Sequence, residues 1–232
     1  MCNDRQRYHR HRFPPEIISH AVWLYHRFGL SLRDVEDLLA ERGVSVSSEA
    51  IRLWCGKFGL DYARKLRRRE GRLGDTWFLD EVFVTIRGER HYLWRAVDQD
   101  GDVIDILVQR RRSANAAKRF FRKLLQGQGS EPRWLITDKL RSYGAAHRSV
   151  MPSVEHLTAC YANNRAEVSH QPTRQRERQM RKFKSAAQAQ QFLSVQGVVL
   201  NLFRLGRRRL RSANYRTLRG RAFAVWTEVT AA

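Results

Sequence analysis

An α/β core behind an all-α N-terminal domain is the fold class that this sequence of 232 residues predicts. Three observations carry the prediction. Apolar residues recur at helical spacing from Pro15 to Phe58, the pattern turns strand-like at Trp77, and the later segments alternate between the two periods. A content of 42% hydrophobic and 10% aromatic residues supplies a real core, so a wholly disordered basic protein is excluded.

The N-terminal domain is expected over residues 1–62. Ile18, Ala21, Val22, Tyr25 and Phe28 form one helical stripe that starts near Pro15 and stops at Gly29. Ser31 opens a second helix with the capping-box spacing Ser31-x-x-Asp34, and its core stripe is Leu32, Val35, Leu38 and Leu39, ending at Gly43. Ser47 or Ser48 caps a third helix that turns Ile51, Trp54, Cys55 and Phe58 inward. Two helices joined by a tight glycine-containing turn read as a helix-turn-helix, or as any small three-helix bundle. In the first reading Glu49, Arg52 and Lys57 lie off the core stripe and face a DNA major groove. His9-Arg10-His11 belongs to a basic arm, and residues 63–74, rich in arginine and closed by glycines, read as a linker.

The second domain is expected over residues 75–205. Trp77–Val84 is a strand that carries acids in its middle, Gly88-Glu89 turns it into His91–Val97, and Gly101 turns again into Val103–Val108. Ser113–Leu125 is a helix with Ala117, Phe120, Phe121, Leu124 and Leu125 inward. Trp134–Asp138 is a short apolar strand of the kind covered on both faces, Val154–Leu157 is one more short strand, and a helical region broken near Lys184-Ser185 runs from Asn164 to about Leu205. A three-strand meander, a helix, two short strands and a helix is the order of a ribonuclease-H-like α/β core. Trp77, Trp94 and Trp134 are expected in its interior, and residues 206–232 read as a basic tail.

Carboxylates stand out in this second domain. Asp80 is mid-strand, where an unneutralised charge is costly. Asp138 ends a buried strand, the usual ligand end of an open α/β sheet. Glu167 opens a helix further along. In a ribonuclease-H-like order the three converge, and three hard oxygen ligands suit Mg²⁺ or Mn²⁺. Each also has a structural reading: an Asp80–Arg95 salt bridge across the hairpin, an Asp138 cap on Lys139-Leu140-Arg141, and the capping spacing Asn164-x-x-Glu167. Glu81 is expected on the opposite face of its strand from Asp80, either supporting the ligands from behind or in a structural role. His170, Arg174, Arg178 and Arg181 follow Glu167 on one helical face, and with Lys139 they are candidates for contact with DNA phosphates; a solvated basic face fits the same pattern.

Charge and motifs narrow the function further. A net charge of +21 implies a polyanionic partner, which inside a cell means nucleic acid. The charge is uneven: net +6 over residues 1–74, +3 over 75–171 and +12 over 172–232, so the segment holding most of the expected α/β core is nearly balanced. Three scattered cysteines without a CxxC argue against a disulfide framework or a zinc finger. Lacking a signal-peptide pattern and a membrane-length apolar run, the chain is expected in the cytoplasm, nucleoid-associated when DNA-bound. No phosphate-binding glycine loop is present, so no nucleotide cofactor is expected.

The runs Trp77-Phe-Leu-Asp-Glu-Val-Phe-Val, Trp134-Leu-Ile-Thr-Asp-Lys and Asn163-Asn-Arg-Ala-Glu-Val-Ser-His-Gln closely resemble those of insertion-sequence transposases of the IS-six family, the IS-twenty-six-like group. The resemblance runs from Phe13 to the tail. It implies a helix-turn-helix for terminal inverted repeats and an integrase-like DDE core. It assigns the catalytic and metal-binding triad to Asp80, Asp138 and Glu167, with two divalent ions per site, and the basic residue seven positions after the glutamate to Arg174. It further implies strand cleavage, transfer to target DNA, and a homo-oligomer that handles two ends. Phe78 stands where relatives carry a more polar residue, and the Asp138–Glu167 interval is shorter than in better-known ones. A non-catalytic helix-turn-helix regulator and a nuclease of the same fold are the alternative readings.

Overall fold

The computed structural model describes residues 8–70, 74–158, 166, 169–171, 183–205 and 210–231. These fall into two compact units, one of Met1–Glu70 with Val198–Ala232, the other of Gly71–Gly197.

In the first unit, helices α1 (Pro15–Arg27), α2 (Leu32–Ala40) and α3 (Ser48–Glu70) follow the expected periodicity. Ile18, Ala21, Val22 and Tyr25 of α1 are buried, whereas Phe28 caps the helix and stays 42% exposed. The capping box at α2 is complete: Asp34 N donates to Ser31 Oγ at 3.1 Å and Ser31 N to Asp34 Oδ2 at 2.7 Å. Val35 and Leu39 carry the burial there, and Gly43, at φ +75, supplies the left-handed turn that leads on to α3. Ser47 caps α3, its hydroxyl accepting from Ala50 N.

Two expectations are corrected in this unit. The stretch read as a linker begins inside α3, which continues to Glu70 because the stripe Phe58, Tyr62 and Leu66 extends its buried face past the notional boundary. Residues 206–232 are not merely a basic tail: Ser212–Thr230 is a helix that packs on α1 and α3. It buries Ala222, Trp226 and Val229, sets Trp226 edge-on to Tyr62 at 5.6 Å, and accepts from the Tyr8 hydroxyl at Thr230 O. Arg216, Arg219 and Arg221 give it a basic look, but apolar residues at helical spacing decide where it lies.

The second unit holds one five-stranded sheet. Its strands are β1 (Thr76–Ile86), β2 (Glu89–Val97), β3 (Val103–Gln109), β4 (Trp134–Thr137) and β5 (Glu155–Leu157), ordered β3-β2-β1-β4-β5. β1, β2 and β3 form an antiparallel meander, and β4 and β5 run parallel to β1. This is the ribonuclease-H-like arrangement that the element order predicts. The first hairpin closes through Arg87 and Gly88, both at positive φ, the two-residue turn whose twist matches its strands.

Helices α4 (Ala114–Gln128) and α5 (Arg141–Val150) cover one face, where Phe120, Phe121, Leu124 and Tyr143 pack on Trp77, Leu79, Trp94 and Leu135. Helix α5 was not expected. Gly144 and polar neighbours blur its stripe, no side chain caps its start, and only Tyr143 and Ala146 are buried. The next helix, α6 (Ala186–Leu202), begins in this unit beside β3, with Gln190 bonding both Val108 N and Ile106 O. A side chain at Gly197 would meet Val103 at 3.1 Å, so glycine there permits close approach to the strand. The C-terminal helix Ser212–Thr230 of the first unit is α7.

Candidate active site

The site forms where the pairing of two parallel strands stops. β1 and β4 are in register from Thr76 opposite Trp134 to Leu79 opposite Thr137. Asp80 and Asp138 are each the next residue, so the pairing ends where the two carboxylates begin. Beyond that point, among the described residues, β1 has no partner on this side until Ile86, which bridges Phe183. Side chains from either face of it can then turn around the open edge toward Asp138. The carboxyl ends of parallel strands are the usual ligand end of an α/β sheet.

Glu81 uses this opening. Its neighbour across the hairpin is Trp94, on the face covered by α4 and α5, while Asp80 lies opposite Arg95 on the other face. The alternation expected from sequence is therefore correct, and Glu81 nonetheless brings an oxygen to the same place as Asp80 and Asp138. One oxygen from each of Asp80, Glu81 and Asp138 lies within 4.8 Å of the others. The pleat separates Asp80 and Glu81, and past the end of β4 their oxygens meet again beside Asp138.

Each carboxylate is held differently. Asp138 Oδ1 accepts from Leu140 N at 3.0 Å, so it also caps the segment before α5, as the structural reading expected. The Glu81 side chain is only 3% exposed and forms an ion pair with Arg112, from the loop between β3 and α4; Arg112 Nη2 also lies 3.8 Å from Asp138 Oδ2. Burial pushes the Glu81 carboxyl up to about 7, and the charges of Asp138 and Asp80 push the same way, while the Tyr143 hydroxyl and Arg112 oppose them. Burial and the facing carboxylates raise the Tyr143 phenol well above its usual value. The Tyr143 hydroxyl faces Glu81, but among the described residues neither it nor Glu81 Oε2 makes a well-formed hydrogen bond.

A bound cation would relieve all of this. Three close carboxylates repel one another, and a buried oxygen without a good donor calls for a positive partner. Hard oxygens in this number fit Mg²⁺ or Mn²⁺ rather than a softer metal.

His170 is a correction. Sequence periodicity put it on a DNA-facing helix surface, but the side chain is fully buried with Nε2 3.3 Å from Asp80 Oδ2. Asp80 therefore has His170 as a neighbour where the sequence suggested Arg95. Lys139 is exposed beside Asp138. In the first unit Glu49, Arg52 and Lys57 are exposed on α3; Arg52 is bonded to Glu49, and Lys57 Nζ lies 2.8 Å from His11. Glu167, Arg174, Arg178 and Arg181 lie outside the described residues. Sequence reasoning missed Arg112. Its only signal was its place in the run Arg110-Arg111-Arg112, which reads as an ordinary basic loop.

Residues 74–205 match a family model described as a DDE domain, that of the IS240-type transposases. A transposase for insertion sequence-like element IS431mec of Staphylococcus aureus is 30% identical over 164 residues, 68% of this chain and 73% of the relative. The transposase of IS257 in transposon Tn4003, also from Staphylococcus aureus, is 29% identical over the same shares. Among solved structures, the chain resembles the HTLV-2 integrase catalytic core in complex with magnesium at 13% identity and TM-score 0.39, covering 58% of this chain and 89% of that one. It resembles a chain of the simian T-cell lymphotropic virus intasome bound to the PP2A regulatory subunit B56 gamma at 14% identity and TM-score 0.40, covering 58% of this chain and half of that one, at 50%. No described helix is long and apolar enough to cross a membrane. With the family model matched over more than half of its length, the chain belongs to the insertion-sequence transposases of the IS-six family, DDE-type polynucleotidyl transferases.

Proposed function

We propose that this transposase binds the terminal inverted repeats of its element, cleaves the DNA at their ends and joins the exposed 3′-hydroxyls to target DNA. The observation that carries this reading is the meeting of Asp80, Glu81 and Asp138 where the parallel pairing of β1 with β4 ends. Family membership supplies the reaction class. In the first step water attacks the phosphodiester at the element end and a 3′-hydroxyl leaves. In the second that hydroxyl attacks a target phosphodiester, and one ester bond replaces another, so no nucleotide is consumed.

Asp80 and Asp138, with Glu167, would hold the metal, magnesium or manganese, as two ions. Metal ions so placed supply polarisation of the phosphodiester, activation of the attacking oxygen and stabilisation of the leaving one. The protein's own part is positional. Leu140 N fixes one Asp138 oxygen, and His170 lies behind Asp80. Lys139, Arg174, Arg178 and Arg181 are proposed to grip flanking phosphates without regard to base. Helix α3 is proposed to read the repeats, and Arg52 would exchange Glu49 for DNA there. A homo-oligomer in the cytoplasm, gathered on the nucleoid, would pair two ends.

A strand-transfer assay with labelled repeat ends tests this reading. Wild type should give joined products in Mg²⁺. Asp80→Asn and Asp138→Asn should lose joining by on the order of 10³-fold, several kcal/mol of transition-state stabilisation, while still shifting end DNA. Cutting without joining would favour a nuclease, and full activity in either variant would contradict the site.

A further inference from the structure

We propose that Arg112 is the resident cation of the metal-free site and that a divalent ion must displace it from Glu81 and Asp138. The inference rests on the metal site proposed above and adds a residue that the triad does not contain.

The geometry is specific. A single nitrogen, Arg112 Nη2, touches Glu81 Oε1 and stands 3.8 Å from Asp138 Oδ2. These are two of the three carboxylates whose oxygens cluster within 4.8 Å. The guanidinium thus lies between Asp138, which would hold the metal, and Glu81 beside it. Its side chain is 41% exposed while Glu81's is 3% exposed, so the arginine reaches in from the loop after β3 and can withdraw to solvent, whereas the glutamate cannot.

Electrostatics gives the reason. Gathering three carboxylates without a cation costs repulsion, and Glu81 adds desolvation. Among the described residues, only Arg112 forms a Lys or Arg ion pair with any of the three. A guanidinium remains protonated under all working conditions, so it neutralises the cluster reliably; as a monovalent group on a flexible stem, it yields to a divalent ion bound by several oxygens. The site would be held preformed, and metal affinity would be set partly by the arginine it expels. Arg112 is in this sense a positioning residue.

The test compares the full-length wild type with Arg112→Gln, Arg112→Lys and Glu81→Gln, without DNA, by Mn²⁺ titration calorimetry and by melting temperature with and without Mn²⁺. Removing the competitor should tighten Mn²⁺ binding by several-fold or more in Arg112→Gln and less in Arg112→Lys. The metal-free melting temperature of Arg112→Gln should fall, and Mn²⁺ should raise it by more than in wild type. Glu81→Gln removes one of the two carboxylates Arg112 bridges, so adding Arg112→Gln to it should change Mn²⁺ affinity less than in wild type. Unchanged or weaker Mn²⁺ affinity in Arg112→Gln, or an equal drop in melting temperature with and without Mn²⁺, would leave Arg112 a merely structural residue and overturn the proposal. If no protein in the set binds Mn²⁺, wild type included, the metal site itself fails and this proposal with it.

Discussion

His156 shows how a single titratable residue can report on the site from just outside it. The Thr137 hydroxyl donates to Asp138 O at 2.8 Å, so its oxygen accepts the Nε2–H of a neutral His156, also at 2.8 Å. Burial, and then the nearby His147 whose ring centre is 4.8 Å away, lower the His156 pKa from 6.5 to about 4. The folded state therefore binds this proton less readily than the unfolded state. Its contribution to stability is complete above pH 6.5 and is lost as the pH falls toward about 4. Half-exposure of the ring makes the effect smaller than the full shift implies. In urea melts of wild type, stability should decline between pH 7.5 and 5, and His156→Gln should decline less; identical slopes would contradict this assignment. No pattern in the sequence announces this pair, because His147 and His156 meet only after α5 folds back beside β4 and β5. The same holds for Glu81. Its period-two alternation was legible, but that a truncated neighbouring strand returns its oxygens to Asp138 was not.

Local rules were most legible at the scale of elements. The capping box at Ser31, the meander and the short buried strand follow from residue spacing alone, because turn chemistry and burial act there over few residues. Ser31→Ala should destabilise the first unit by about 1 kcal/mol, and Ser31→Gly by only a few tenths, since glycine keeps the backbone geometry of a cap. Equal losses in thermal melts would show that the Ser31 hydroxyl, with its 3.1 Å bond from Asp34 N, is not what matters. Boundaries were read less well where composition misled. Arginines masked the continuation of α3, and a glycine within α5 masked that helix altogether.

For the whole molecule, contact between distant segments decides what the sequence order hides. Residues 198–232 follow the catalytic core in sequence but belong to the N-terminal unit. Trp226 on α7 is buried against Tyr62 on α3, a pairing separated by most of the chain. Trp226→Ala should cost about 3–5 kcal/mol. In hydrogen exchange the loss of protection should fall on α1, α3 and α7 and spare β1 to β4; loss spread evenly over both units would contradict the division. The same scale explains the charge. Three acids of the nearly balanced α/β core meet where β1 and β4 part, while the net positive charge elsewhere suits a polyanion.

Whether the carboxylates where the pairing of β1 with β4 ends act by binding metal is tested most directly at Asp138, by exchanging its hard oxygen for sulfur. Asp138→Cys should be inactive in strand transfer with Mg²⁺ and regain activity with the more thiophilic Mn²⁺ or Cd²⁺, while binding repeat ends like wild type. Activity in Mg²⁺ equal to wild type, with no dependence on the metal supplied, would show that Asp138 does not ligate the ion.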